Sequence, residues 1–137
     1  LRRQLLEMNT PNDIKYLATH QWGRLEDDGT VTVGITDYAQ SQLGDVVFVD
    51  LPAVGSELVQ AGEAGVIESV KTASDLFAPV SGRVIQLNPA LEDTPEIVND
   101  SPYDKGWLFR VQPDDAAAEW SELLDAEGYQ QAVAAED

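Results

Sequence analysis

The chain has 137 residues, 43% of them apolar, which suits one compact domain with a real core. Twenty-five acidic residues against 8 basic ones give a formal charge of −17, so the surface field repels nucleic-acid backbones and anionic lipid. With no cysteine there are no disulfides, thiol nucleophiles or thiolate metal sites, and no window approaches the length of a membrane span.

The opening "LRRQLLEMNTPND" lacks the apolar run of a secretory signal. Met8 offers a start, which reads residues 1–7 as an N-terminal extension, native or non-native, and residues 8–137 as the domain. "TVTVGIT" (30–36) alternates Val31, Val33 and Ile35 with small or polar residues, the period of a half-buried strand, and the turn "EDDGT" makes "QWGRL" (21–25) its hairpin partner. "TDYAQSQLG" (36–44) reads as a short helix with Thr36 as N-cap and Gly44 closing it. "DVVFVDLP" (45–52) reads as a buried strand stopped by Pro52.

From Gly55 to Asn88 short apolar runs are punctuated by Gly55, Gly62, Gly65, Pro79 and Gly82, a spacing that suits small strands in a barrel or sandwich. "GVIESV" and "GRVIQLN" resemble each other across this stretch. In "EDTPEIV" Thr94 and Pro95 predict a helix start, and "GWLFRVQ" (106–112) a last strand. After Pro113, Trp120, Leu123 and Leu124 lie at helical spacing, with Gly128 as a stop before a second helical piece around Tyr129 and Val133.

Candidate chemistry is sparse. His20 is the only histidine and reads as structural or exposed, with no nucleophile elbow, phosphate loop or metal-ligand spacing near it. Lys71 stands out because the chain has three lysines and this one lies in "GVIESVKTASDLFAPVSGRV", between Glu68 and Asp75. The ordinary reading of such a lysine is a solvated charge on a strand edge. A catalytic lysine needs an apolar pocket to lower its pKa, and "ESVKTASD" is too polar for that. Small neighbours at a hairpin bend instead make Lys71 a handle that another enzyme can acylate.

"ESVKTASDLFAPVSGRVIQLN" resembles the lipoyl-attachment segment of the glycine cleavage system H proteins, with Gly82 eleven residues after Lys71. "HQWGRL", "VGITDYAQSQLGDVVFVDLPAVG", "SPYDKGWLFRV" and an acidic helical C-terminus match the same family in order. An oxoacid dehydrogenase lipoyl domain would show Asp-Lys-Ala and a biotin carrier Met-Lys-Met, so both fit poorly.

The resemblance implies a mainly β (α+β) barrel-sandwich hybrid of the lipoyl and biotinyl carrier type, with short helices and a C-terminal helical segment. It implies lipoic acid joined to Lys71, with Glu68 and Gly82 read by the modifying enzyme, a lipoate ligase or octanoyltransferase. It also implies a non-enzymatic carrier with no metal site and no catalytic residue of its own. The arm would collect an aminomethyl group from a pyridoxal-phosphate glycine decarboxylase and pass it to a tetrahydrofolate-dependent aminomethyltransferase. A dihydrolipoamide dehydrogenase would then reoxidise it. The loaded arm would shelter in a cleft lined by Thr19, Gln21 and Asp75. A monomer is implied, in the cytoplasm if bacterial or the mitochondrial matrix if eukaryotic. Two departures stand out: Gln21 where the family usually has Glu, and Tyr38 where His is common. They also fit a homologue that relays lipoyl groups to other proteins. An unmodified acidic interaction domain is the third alternative.

Overall fold

The structure, a computed structural model, describes residues 10–136; the expected extension of residues 1–7 and Met8 lie outside them. β1 (Lys15–Tyr16), β2 (Gln21–Leu25) and β3 (Val31–Ile35) form an antiparallel meander. Its turn is closed by the Gly29 N–H on Glu26 O and the Glu26 N–H on Thr30 O, with Gly29 at φ +88°, a conformation a side chain resists. β3 is buried along its whole length.

Helix α1 (Asp37–Leu43) follows as expected. Thr36 Oγ1 accepts the Ala39 N–H, and Gly44 ends the helix at φ +79°. β4 (Val46–Asp50) is a short strand, but the expectation that it is buried is corrected. A bulge between Val46 and Phe48 turns Val47 and Phe48 outward, the latter 53% exposed, because β4 lies at the edge of a separate sheet. β5 (Glu57–Leu58), β6 (Glu63–Ser69), β7 (Ala73–Phe77) and β8 (Gly82–Leu87) are the small strands expected between the glycines.

The helix expected from Thr94 is displaced. Thr94 closes α2 (Ala90–Asp93), and α3 (Ile97–Asp100) begins after Glu96. The residue before a proline is driven out of the helical region, so Pro95 ends one helix instead of starting the next. β9 (Phe109–Pro113) starts three residues later than the "GWLFRVQ" run. α4 (Ala116–Trp120) stops before Leu123 and Leu124, so that stripe is not one helix. Gly128 is no stop either: it lies inside α5 (Ala126–Ala135), where its N–H is taken by the cap Asp125.

The strands make two sheets, one in the order β1-β2-β3-β9-β8-β5 and one in the order β4-β6-β7. The main core between them holds Val31, Val33, Ile67, Leu76, Val84, Phe109 and Val111. A second cluster seats α5, with Ala126, Tyr129 and Val133 against Ile14, Tyr16 and Trp22. Tyr16 and Tyr129 stack at 4.6 Å, and Tyr16 exchanges backbone bonds of 2.8 and 2.9 Å with Leu124, which pins the C-terminal segment to β1.

Candidate functional site

β6 and β7 form a hairpin whose bend carries Lys71. Small polar residues fix that bend. The Ser69 N–H donates to Thr72 O at 2.8 Å, and Ser69 Oγ accepts the Lys71 and Thr72 N–H groups at 3.2 Å. The Val70 N–H reaches Asp45 O at 3.0 Å, tying the bend to the segment after α1. Lys71 itself is exposed.

The lysine side chain lies across Gly44. A Cβ at that position would sit 2.8 Å from Lys71 Cε and 3.7 Å from Nζ. Gly44 thus both closes α1 at a positive φ and leaves the lysine a passage. Its place is fixed by Asn99 on α3, whose Nδ2 donates to Gly44 O at 2.8 Å and to Gln40 Oε1 at 3.1 Å while its Oδ1 accepts the Val46 N–H at 2.9 Å.

Beside α1 and the hairpin lies a cleft of about 380 Å³. Thr19, Gln21 and Asp75, the three residues expected to line such a cleft, all line it. Gln21 is 3% exposed, and its Oε1 accepts the Thr19 hydroxyl at 2.6 Å, so the amide is already engaged. Tyr38 and Gln42 of α1 and Thr72 to Leu76 of the hairpin complete two walls.

Two further residues line the cleft that sequence reasoning missed, His20 and Glu136. His20 has φ +82°. Its Nε2 lies 3.2 Å from Glu136 Oε2 and its Nδ1 2.7 Å from the Tyr129 hydroxyl, which is in turn 2.7 Å from Thr36 Oγ1. An ionised carboxylate only accepts, so in the neutral imidazole Nε2 carries the proton to Glu136. Nδ1 then accepts from Tyr129, and Thr36 donates to the tyrosine oxygen while accepting the Ala39 N–H. Burial pushes the Tyr129 phenol well above its usual range, which keeps it a donor. The first and last parts of the domain, remote in sequence, meet here; the one sequence signal was the only histidine of the chain.

The residues expected to guide modification lie elsewhere. Glu68 is exposed on β6, paired with Ala73 and with Phe48 of β4, close to the bend but outside the cleft lining. Gly82 opens β8 in the other sheet, opposite Leu58 and Pro113, where a Cβ would run into Gln112 O. Gly82 is thus a point of close strand approach, at φ +154°.

Comparison with known proteins follows the same lines. The sequence pattern of a family described as "Glycine cleavage H-protein" matches residues 14–136. The glycine cleavage system H protein of Saccharophagus degradans is 57% identical over 126 residues, covering 92% of this chain and 96% of that protein. That of Psychrobacter cryohalolentis is 57% identical over 122 residues, covering 89% and 96%. A crystal structure of a glycine cleavage system H protein from Mycobacterium marinum superposes with a TM-score of 0.80 at 42% identity, covering 88% of this chain and 96% of that one. The two-sheet architecture with its C-terminal helix is thus the barrel-sandwich hybrid of the lipoyl carriers. A core matched along nearly its whole length, with a clamped lysine bend beside a cleft, leaves one conclusion: this chain belongs to the glycine cleavage H-protein family.

Proposed function

We propose that the protein is the lipoyl carrier of a glycine cleavage system, residues 8–137 acting as one carrier domain with lipoic acid in amide linkage to Lys71. The observation that carries this reading is the lysine itself, exposed on a hydrogen-bonded bend and laid across Gly44, with the adjacent Thr72 and Leu43 lining a cleft of about 380 Å³. The residues fit the group: an amine free of ion pairs among the described residues, a passage without Cβ, and a cleft whose lining is part polar, part apolar. Bound lipoic acid would supply a dithiolane that carries the aminomethyl group and two electrons.

What the chain supplies is position. Ser69 and Asp45 hold the bend, so the attached sulfur searches from a fixed base, and tethering keeps its effective concentration high at each docked partner. Thr19, Gln21 and Asp75 give the cleft hydrogen-bonding partners and one negative charge. Glu68 is exposed beside the bend, where an acylating ligase or octanoyltransferase can read it; Gly82 acts through packing of β8.

The partners we assign are the pyridoxal-phosphate decarboxylase, the tetrahydrofolate-dependent aminomethyltransferase and the dihydrolipoamide dehydrogenase of the same system. The carrier itself has no catalytic residue in this scheme. The names of the relatives favour this role over lipoyl relay, and their bacterial sources favour the cytoplasm. Among the described residues no helix is long and apolar enough to cross a membrane.

The test is intact mass after expression with an active lipoate ligase, followed by turnover in a reconstituted system. Lys71→Ala is expected to lose the lipoyl adduct and all glycine decarboxylation while keeping its melting temperature. Retained turnover, or no adduct on the wild-type protein, overturns the assignment.

A further inference from the structure

The cleft has two carboxylates in its lining, Asp75 on β7 and Glu136 at the end of α5, with no lysine or arginine among its described lining residues. The two reach it by different routes. Asp75 comes from the hairpin that bears Lys71. Glu136 comes from the C-terminal helix, where it caps α5 and is held by His20. At Gln21 a neutral amide is buried with its oxygen already bonded to Thr19, so that wall offers no charge.

The pairing with His20 aims Glu136. Its side chain is 49% exposed and free to rotate in isolation, but the Nε2 contact at 3.2 Å holds the carboxylate against the rim. His20 in turn is anchored through Nδ1 to Tyr129, which α5 buries against Tyr16. The carboxylate is therefore set by the docking of α5 as a whole; Nε2 lies 3.2 Å from one oxygen and 3.3 Å from the other, and each oxygen keeps a lone pair for another donor.

We propose that Glu136 is a cation-binding residue of this cleft, oriented by His20, and that it supplies the second negative charge that Gln21 does not. The ligand class is a primary ammonium carried at the end of the Lys71 arm. The inference rests on the carrier reading above and deepens it by assigning a cleft residue from the opposite end of the chain. Glu136 would touch the ammonium; His20 is a positioning residue. With an exposed pair, the expected effect is modest, roughly threefold, and sensitive to salt.

The test uses full-length protein whose lipoyl adduct on Lys71 has been verified by mass. The arm is reduced with a phosphine and its thiolates alkylated, each displacing the halide as the new C–S bond forms. Bromoethylamine leaves a permanent ammonium on the arm, and iodoacetamide leaves a neutral amide of similar size. Amide resonances of isotope-labelled protein are then compared. The ammonium arm is expected to shift Glu136, His20 and Asp75 where the neutral arm does not, and added salt to weaken the difference.

Glu136→Gln keeps an acceptor for His20 but removes the charge, and is expected to cut the ammonium-specific shift at Asp75 and His20 about threefold. His20→Asn tolerates the positive φ and releases the carboxylate; it is expected to give a similar loss with Asp75 still responding. Equal shifts from the two arms, or a Glu136→Gln protein that responds like the wild type, overturn the role of Glu136 while leaving the carrier reading intact. Absence of the adduct overturns both.

Discussion

At Gly44 a missing side chain has two consequences. The helix needs φ +79° there, and Lys71 needs the space. Gly44→Ala therefore costs about 1 kcal/mol of backbone strain and pushes the flexible end of Lys71 away from the α1 terminus. A melting point a few degrees lower is expected, together with a slower acylation of Lys71, read by mass against time; an unchanged acylation rate would separate Gly44 from the path of the lysine. Glu26 is a second residue with a stated role. Partial burial raises its pKa, but hydrogen bonds from Thr32 at 2.6 Å and Arg24 at 3.0 Å, with the charges of Arg24 and Arg110, hold it below the usual carboxylate range. A pKa lowered in the fold means stabilisation that is present above the unfolded value near ~4.3 and lost as pH falls through the folded one. Glu26→Gln is expected to lower the melting temperature at neutral pH and to have little effect in strong acid.

Among elements, β2 and β3 pair with Trp22 facing Gly34. A Cβ at Gly34 would lie 2.5 Å from the indole ring, which is fully buried and donates its N–H to Ile35 O at 2.9 Å and Pro102 O at 3.1 Å. Both hydrogen bonds hold the ring in place, so Gly34→Ala overpacks the sheet by about 1–3 kcal/mol, measurable as a lower midpoint in denaturant. The alternation that placed β3 and the caps that bounded α1 were legible because local sequence decides them. The outward turn of Phe48 was not, since a strand rich in β-branched residues reads as buried whichever sheet it joins. Nor was the role of Pro95: the same dipeptide fits a helix start and a helix end, and the packing of Leu91 and Val98 into the core selects the second. The bend at Lys71 was legible because the Ser69 to Thr72 bonds that close it are contiguous in the chain, whereas its ties to Asp45 and Gly44 were not. His20 and Glu136 are joined only by the docking of α5.

For the molecule as a whole, that docking closes a second cluster that holds Tyr16 and Tyr129 with Tyr103 packed against it. Burial pushes Tyr103 up to about 12 and raises Tyr16 and Tyr129 further still. A raised folded value means stabilisation that is complete below the unfolded pKa of about 10 and is lost as pH rises through the folded one. In an alkaline titration the tyrosinate absorbance of these three is expected to rise together with the loss of far-ultraviolet dichroism. Ionisation of all three in a still-folded protein would contradict their burial. Asn99 works on the same scale with a single amide, clasping α1, Gly44 and the start of β4. In mechanical terms it is the fulcrum of a lever whose short side is the α1 terminus and whose long side is whatever extends from Lys71. A small tilt at the fulcrum is multiplied at the far end, so wear at Asn99 would show as poorer aim at every docking partner alike, with no one of them singled out.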